Sequence, residues 1–414
     1  MITRERHPSE SWDRVLQARS SLPGDPSLRW DDDVWSGDDG FGGWARRSVL
    51  AGALALPACA TTTTTRPAFD TADLGGPRCL PPVKVSADRV IREVVGLRPY
   101  RASGFVVRRE ALGDKALVHN YGHGGGGITL SWGSARLAID LGLPGHSGPV
   151  AVIGAGALGL ATARLVQEAG YDVTVYAAAL PPETTSNIAG GQWYPSSVFR
   201  DDRVTDAFRA QYARAALYSY RRFQIMTGDE YGIRWMRNYD LSRMARSGGV
   251  DADDPLATML PEARALAEAE HGFGVPGAFQ FDGMIVETPR FLRAMLRDVH
   301  VAGGRVAVRR FASPAEIAAL PERLVFNCTG LGARDLFGDA ELEPVRGQLV
   351  VLLPQPEVRY AYSAPGGLYM FSRDDGILLG GTFEHGATHL TPDPATTRRL
   401  LDGHARLAAG MRCA

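Results

Sequence analysis

One stretch constrains this chain more than any other: Val150-Ala151-Val152-Ile153-Gly154-Ala155-Gly156-Ala157-Leu158-Gly159. An apolar run of strand length enters G-x-G-x-x-G, continues as an Ala/Leu/Val-rich helical segment to Gly170, and is followed by the β-branched run Tyr171 to Tyr176. Strand, glycine turn, helix and strand make one βαβ unit. Its place between strand and helix separates this motif from an ordinary glycine-rich turn. Gly154 permits the tight turn, Gly156 lets backbone N–H groups approach a pyrophosphate, and Gly159 lets the helix lie close on the strand. The helix N-terminus then faces an anion, so the unit predicts a dinucleotide site.

The rest of the composition narrows the partners. A chain of 414 residues, 45% hydrophobic and 22% charged, can build one large or two medium domains. The formal net charge is −1 and no basic stripe is interleaved with aromatics, which argues against nucleic acid. No apolar run reaches the roughly 18 residues that a membrane span requires. The cysteines form no C-x-x-C pair, and His119 and His123 sit in a glycine-rich loop, so no metal site is expected.

Residues 1 to about 80 mix Ser, Pro and Gly with the acidic cluster Asp31, Asp32, Asp33, Asp38 and Asp39, a composition that reads as disordered. Within them Arg46-Arg47 precedes the short apolar stretch Ala51 to Ala58 and then Cys59-Ala60, similar to a twin-arginine export leader. Ala58-Cys59-Ala60 offers an A-x-A cleavage site, and Leu56-Pro57-Ala58-Cys59 offers a lipid anchor at Cys59. Export to the periplasm or cell surface is the expectation, a cytoplasmic location the alternative, and Thr61 to Thr65 would be a tether.

Beyond residue 80 the chain becomes periodic. Strands are predicted at Val90 to Val95, Gly104 to Arg108, Tyr231 to Leu241, Ala278 to Val286, Arg305 to Phe311 and Leu324 to Gly330, and strands dominate from Gly347 to Phe383. Helices are predicted at Ser131 to Leu141, 205 to 226, Pro255 to Glu270, Thr288 to His300 and Thr396 to Ala409. In the segment 205 to 226, Phe208, Tyr212, Ala215, Tyr218 and Phe223 form one stripe, read as core packing. Gly124 to Gly127 before a helix start can bring backbone N–H groups against an anion or a flat ring. Parallel-type and antiparallel-type stretches alternate, which predicts two interleaved domains.

The motifs converge on a family. Gly154-Ala155-Gly156, Thr184-Thr185-Ser186-Asn187-Ile188-Ala189-Gly190-Gly191, Asn327-Cys328-Thr329-Gly330, Arg346-Gly347-Gln348, Gly96-Leu97-Arg98-Pro99 and His119-Asn120-Tyr121-Gly122-His123-Gly124-Gly125 together resemble the D-amino-acid oxidase family of flavoproteins. The likeness runs from about residue 80 to the end. In that family the G-x-G-x-x-G strand opens the chain, whereas G-L-R-P and H-N-Y-G-H-G-G close it. Here both lie ahead of that strand, so a circular permutation is expected, with the family's termini joined through Leu143 to Gly148.

The resemblance implies a mixed α/β (α+β) fold. A Rossmann-type FAD-binding domain (105–193 and 284–345) would interleave with a substrate domain on a mostly antiparallel sheet (81–104, 194–283 and 346–414). It implies FAD, held at the pyrophosphate by Gly154, Ala155, Gly156 and Gly159, and elsewhere by Thr184, Thr185, Ser186, Gly190, Gly191, Gln192, Gly124, Gly125, Gly127, Ile128 and Thr129. Phe311 and Thr329 would lie near the adenine and the ring. Arg98 would grip a substrate carboxylate, Tyr369 would assist, and the Gly125 carbonyl would accept from the amine. The implied activity is oxidative deamination of D-amino acids by dioxygen to 2-oxo acids, ammonia and hydrogen peroxide. A glycine or sarcosine oxidase and a nucleotide-binding protein without turnover remain alternatives. About twenty residues past the glycine turn such sites offer an acid to the adenosine ribose, but this chain has Ala177-Ala178-Ala179. The permutation also implies that the chain ends meet, bringing Cys79 and Cys413 into reach of a disulfide.

Overall fold

Val150–Ile153 is wholly apolar and buried along its length, as a strand must be when helices cover both faces of a parallel sheet. The computed structural model describes residues 79–242 and 256–412, all within one compact unit. The leader motif, Cys59 and Cys413 lie outside the described residues.

Val150–Ile153 sits inside a six-stranded sheet ordered Val106–Leu112, Lys115–Tyr121, Leu324–Asn327, Val150–Ile153, Val173–Ala177, Arg305–Val308. Every pairing is parallel except that of the first two strands. The helix Ala157–Glu168 follows the glycine turn, as the βαβ pattern requires. It packs beside Ser131–Gly142, which in turn meets Asp206–Ile225. Those last two helices approach closely at Gly133, where an added Cβ would lie 1.8 Å from the Ala215 carbonyl oxygen. Asp206–Ile225 is capped by Thr205, whose hydroxyl accepts from Phe208 N at 3.2 Å. Tyr212, Ala215 and Phe223 of its stripe are buried, with Ser219 and Tyr220 beside them, while Phe208 and Tyr218 are half-buried.

The second sheet runs Val90–Tyr100, Glu343–Leu352, Gly376–Gly380, Leu368–Arg373, Tyr360–Ala364, Ile233–Asp240, Gly277–Val286, Arg264–Ala267, with Glu384–His385 also on Glu343–Leu352. It is antiparallel except between Tyr360–Ala364 and Ile233–Asp240. Each sheet thus draws strands from widely separated parts of the chain.

One predicted helix is absent. From residue 256 onward, the stretch expected to be helical to Glu270 instead holds a single turn at Ala257–Met259, the strand Arg264–Ala267 and another turn at Glu268–Glu270. Pro261 removes a helix donor and Glu262 takes a φ of 57°, so no helix can pass this point. Edge pairing with Gly277–Val286 then buries Leu266, and sheet contacts override the helix preference of Ala, Leu and Glu. Two strands also stop short of their predicted ends, at Val308 and Asn327, which leaves Phe311 and Thr329 in the loops beyond.

The ends of the described chain meet. The Tyr360 hydroxyl donates to the Pro81 carbonyl at 2.8 Å and lies 3.7 Å from Met411 Sδ. Cys79 is disulfide-bonded, a state that persists in oxidising compartments.

Candidate active site

Between the two sheets lies a cavity of about 860 Å³, at the upper end of the range for ligand sites. The G-x-G-x-x-G turn forms part of its floor. Gly154 has φ +114° and would place a Cβ 2.3 Å from the Cys328 carbonyl oxygen, so no side chain is tolerated there. Gly159 does not line the cavity; a Cβ there would lie 1.9 Å from the Gly154 carbonyl oxygen, so its role is to seat the helix on the turn. At the helix start, Ala157 N donates to Ser186 Oγ at 3.0 Å, which brings the Thr184-Thr185-Ser186 segment over the helix N-terminus. Every other residue named from the sequence lines this cavity: Ala155, Gly156, Thr184, Thr185, Gly190, Gly191, Gln192, Phe311, Thr329, Gly124, Gly125, Gly127, Ile128, Thr129, Arg98 and Tyr369.

The glycine loop is a cradle of backbone. A Cβ on Gly124 or Gly125 would lie 2.3 Å from Ser197 O or 2.7 Å from Ser196 O. Beneath it the two histidines have different tasks. Asn327 Oδ1 accepts from Thr329 N and Thr329 Oγ1, at 3.2 and 2.7 Å, which turns Asn327 Nδ2 toward His119 Nδ1 at 2.9 Å. His119 Nδ1 therefore accepts, and its Nε2 lies 3.0 Å from the Glu110 carboxylate. Burial pushes the His119 pKa down, and the hydrogen bond from His119 holds Glu110 below the usual carboxylate range. This chain fixes Thr329 at the cavity wall. His123 is fully buried, stacked on Phe105 at 4.4 Å, and pushed down to about 3 by burial, hence neutral. It lines the cavity with neither ring nitrogen hydrogen-bonded among the described residues, a feature that its letters in a glycine-rich string did not disclose. The same cavity is lined by Cys328, whose thiol is pushed up to about 12 by burial and is no nucleophile.

At the other end the walls come from the antiparallel sheet. Arg98 Nη1 donates to the Thr382 carbonyl at 3.0 Å, and the guanidinium lies 4.4 Å from the Phe383 ring centre. It has no carboxylate partner among the described residues. The Arg346-Gly347-Gln348 motif supports it. Arg346 is fully buried and saturated by Glu384, Gln348 and the carbonyls of His389 and Thr391. Gln348 N donates to Thr382 Oγ1 at 2.7 Å, which fixes the residue that holds Arg98. Tyr369 stacks on Phe371 at 4.9 Å, and its hydroxyl has no protein partner among the described residues. No group of residues suited to a metal occurs among the described residues, and no helix there is long and apolar enough to cross a membrane.

A mostly parallel sheet with a dinucleotide-type turn and an antiparallel sheet that presents Arg98 line one cavity, an arrangement that fits a dinucleotide-dependent oxidoreductase. The chain belongs to the FAD dependent oxidoreductase (DAO) family, which matches residues 42–141 and 149–411. A D-amino-acid oxidase from Rubrobacter xylanophilus is 30% identical over 257 residues, 60% of this chain and 74% of that protein. One from Streptomyces coelicolor is 34% identical over 262 residues, 62% and 76% respectively. Among solved structures, glycine oxidase from Geobacillus kaustophilus aligns with a TM-score of 0.47 at 17% identity, covering 64% of this chain and 80% of that one.

The cofactor of the family is FAD, and the residues present fit it. The glycine turn and glycine loop leave backbone surfaces that any Cβ would fill, the helix N-terminus suits a pyrophosphate, and His123 offers unmet hydrogen-bonding capacity.

Proposed function

We propose that this protein deaminates D-amino acids oxidatively. The observation that carries the reading is Arg98, a guanidinium held in place by Thr382 and Phe383 with no carboxylate among the described residues to neutralise it. A planar guanidinium that cannot lose its proton is suited to a bidentate grip on a carboxylate. Tyr369 adds a hydroxyl, the Gly125 carbonyl is the acceptor for the amine, and Phe371, Phe383 and Tyr194 give the same cavity aromatic walls. Bound FAD supplies the two-electron acceptor, with dioxygen as the final oxidant and a 2-oxo acid, ammonia and hydrogen peroxide as products. The relatives that are D-amino-acid oxidases favour this substrate class over glycine or sarcosine.

The cavity also bears on the side chain. Its other two arginines, Arg309 and Arg310, follow a strand of the parallel sheet and lie toward the opposite end. Among the described residues no lysine and no further arginine lines the cavity, so neutral D-amino acids are the favoured class. A peroxide assay over D- and L-amino acids, glycine and sarcosine tests this, together with Arg98→Ala. Loss of the bidentate pair should raise KM for D-amino acids by about thirty- to a thousandfold, roughly 2 to 4 kcal/mol, with flavin binding retained. Turnover of L-amino acids alone, or unchanged kinetics in Arg98→Ala, would remove this reading.

A further inference from the structure

The adenosine end of the cavity lacks the carboxylate that a dinucleotide fold ordinarily places at the end of its second strand. That strand, Val173–Ala177, ends here in Ala177-Ala178-Ala179, and all three alanines line the cavity. Ala178 is exposed, so water could meet a ribose hydroxyl there, but a carboxylate within reach makes the stronger, charge-assisted hydrogen bond.

Directly after the alanines the chain turns back. Pro181 and Pro182 restrict its backbone, and Glu183 N closes the turn on the Leu180 carbonyl at 2.8 Å. Glu183 thereby lines the same cavity as Ala178 and Ala179. Its carboxylate has no hydrogen bond or ion pair among the described residues, although Arg309 and Arg310 line that cavity too. Arg309 N donates to the Ala177 carbonyl at 2.8 Å and its guanidinium stacks 4.6 Å from the Phe311 ring centre. The alanine strand end, the Phe311 loop and the Glu183 turn therefore converge on one end. Only one other carboxylate among the described residues lines the cavity, that of Asp335. It sits on Gly332–Phe337, after Leu324–Asn327, on the opposite side of the central strand from Val173–Ala177.

We propose that Glu183 supplies the carboxylate that holds the adenosine ribose of FAD, moved from the strand end to the far side of the Leu180–Glu183 turn. The longer side chain compensates for the more distant backbone. This rests on FAD as the cofactor and not on which amine is oxidised, so its failure leaves the substrate reading intact.

Titration of apoprotein with FAD, followed by flavin fluorescence, tests it without any turnover. Glu183→Gln preserves size and removes the charge; it should weaken FAD binding about ten- to a hundredfold, the range for a hydrogen bond to a charged group. An FAD analogue with a 2′-deoxyadenosine half should bind wild type more weakly by a similar factor, and Glu183→Gln should then add no further loss. Ala178→Asp in the Glu183→Gln background should restore affinity, and Asp335→Asn should leave it unchanged. Wild-type affinity in Glu183→Gln, additive losses with the deoxy analogue, or the loss appearing in Asp335→Asn instead would each overturn the proposal. Glu183 is exposed, so the substitution does not disturb the core.

Discussion

Gly347 carries no side chain because Arg98 occupies the space one would need. A Cβ built there would lie 2.5 Å from Arg98 Nη1 and 2.7 Å from its Cζ. The obstructed atoms are the far end of a flexible side chain, so Gly347→Ala displaces the guanidinium and leaves the strand intact. We expect KM for a D-amino acid to rise tenfold or more, about 1.4 kcal/mol, with the melting temperature and flavin spectrum unchanged. A variant with wild-type KM would show that the guanidinium has room to spare. Arg98 was legible in the sequence because Gly-Leu-Arg-Pro is a contiguous string. The service Gly347 gives it was not, since Gly347 is brought beside the Arg98 strand only by a pairing distant in sequence, in which Gly96 lies opposite Gly347. His119 and His123 were similarly legible as letters and opaque as roles. The partners of His119 arrive from the flanking strands, and the burial of His123 depends on Phe105.

Elements were readable where the hydrophobic period was long and uninterrupted. Thr288–Val301 and Asp206–Ile225 lie within about a residue of their predicted bounds. Arg264–Ala267 was not readable, because a short edge strand is specified by its neighbour and by the interruption of the helix pattern at Pro261 and Glu262. The C-terminal helix Pro394–Gly410 is fastened by a contact no periodicity shows. His404 is buried, with Nδ1 2.6 Å from the Tyr362 hydroxyl and Nε2 3.0 Å from the Gly380 carbonyl. Nε2 must donate to the carbonyl, so Nδ1 accepts from Tyr362 and the neutral ring is fully satisfied. Burial pushes its pKa down from 6.5 to about 4. The unfolded chain therefore takes up the proton first as pH falls. The stability from the neutral ring is complete above about pH 6.5 and is lost progressively down to about pH 4, a loss on the order of 3 kcal/mol. His123, pushed lower still, acts in the same direction. Urea denaturation between pH 7.5 and 4 should show this slope, and His404→Gln, which keeps a donor and an acceptor without titrating, should flatten it. An equal slope in the variant would place the acid sensitivity elsewhere.

At the scale of the whole molecule we propose that the chain is a circular permutation of its family's order. The family match falls in two segments, 42–141 and 149–411, on either side of the Leu143 to Gly148 linker. The meeting of Pro81 and Met411 at Tyr360 is the geometry that such an origin needs. A chain reopened between Gly142 and Val150, with a short Gly/Ser linker joining residues 412 and 80, should fold, bind FAD and melt within a few degrees of the parent. Failure to fold would mean that this seam cannot carry free ends. The two-sheet plan was legible from alternating strand types and the motif strings; the way separate segments interleave depends on pairings distant in sequence. The shared anchor at Tyr360 also decides where the molecule comes apart first. Fraying starts at termini, and both described ends leave from the antiparallel sheet, while the nucleotide turn lies mid-chain between buried strands. Proteolytic trimming or a mechanical pull on either end would therefore erode the amino-acid side of the protein while the flavin side still holds its fold.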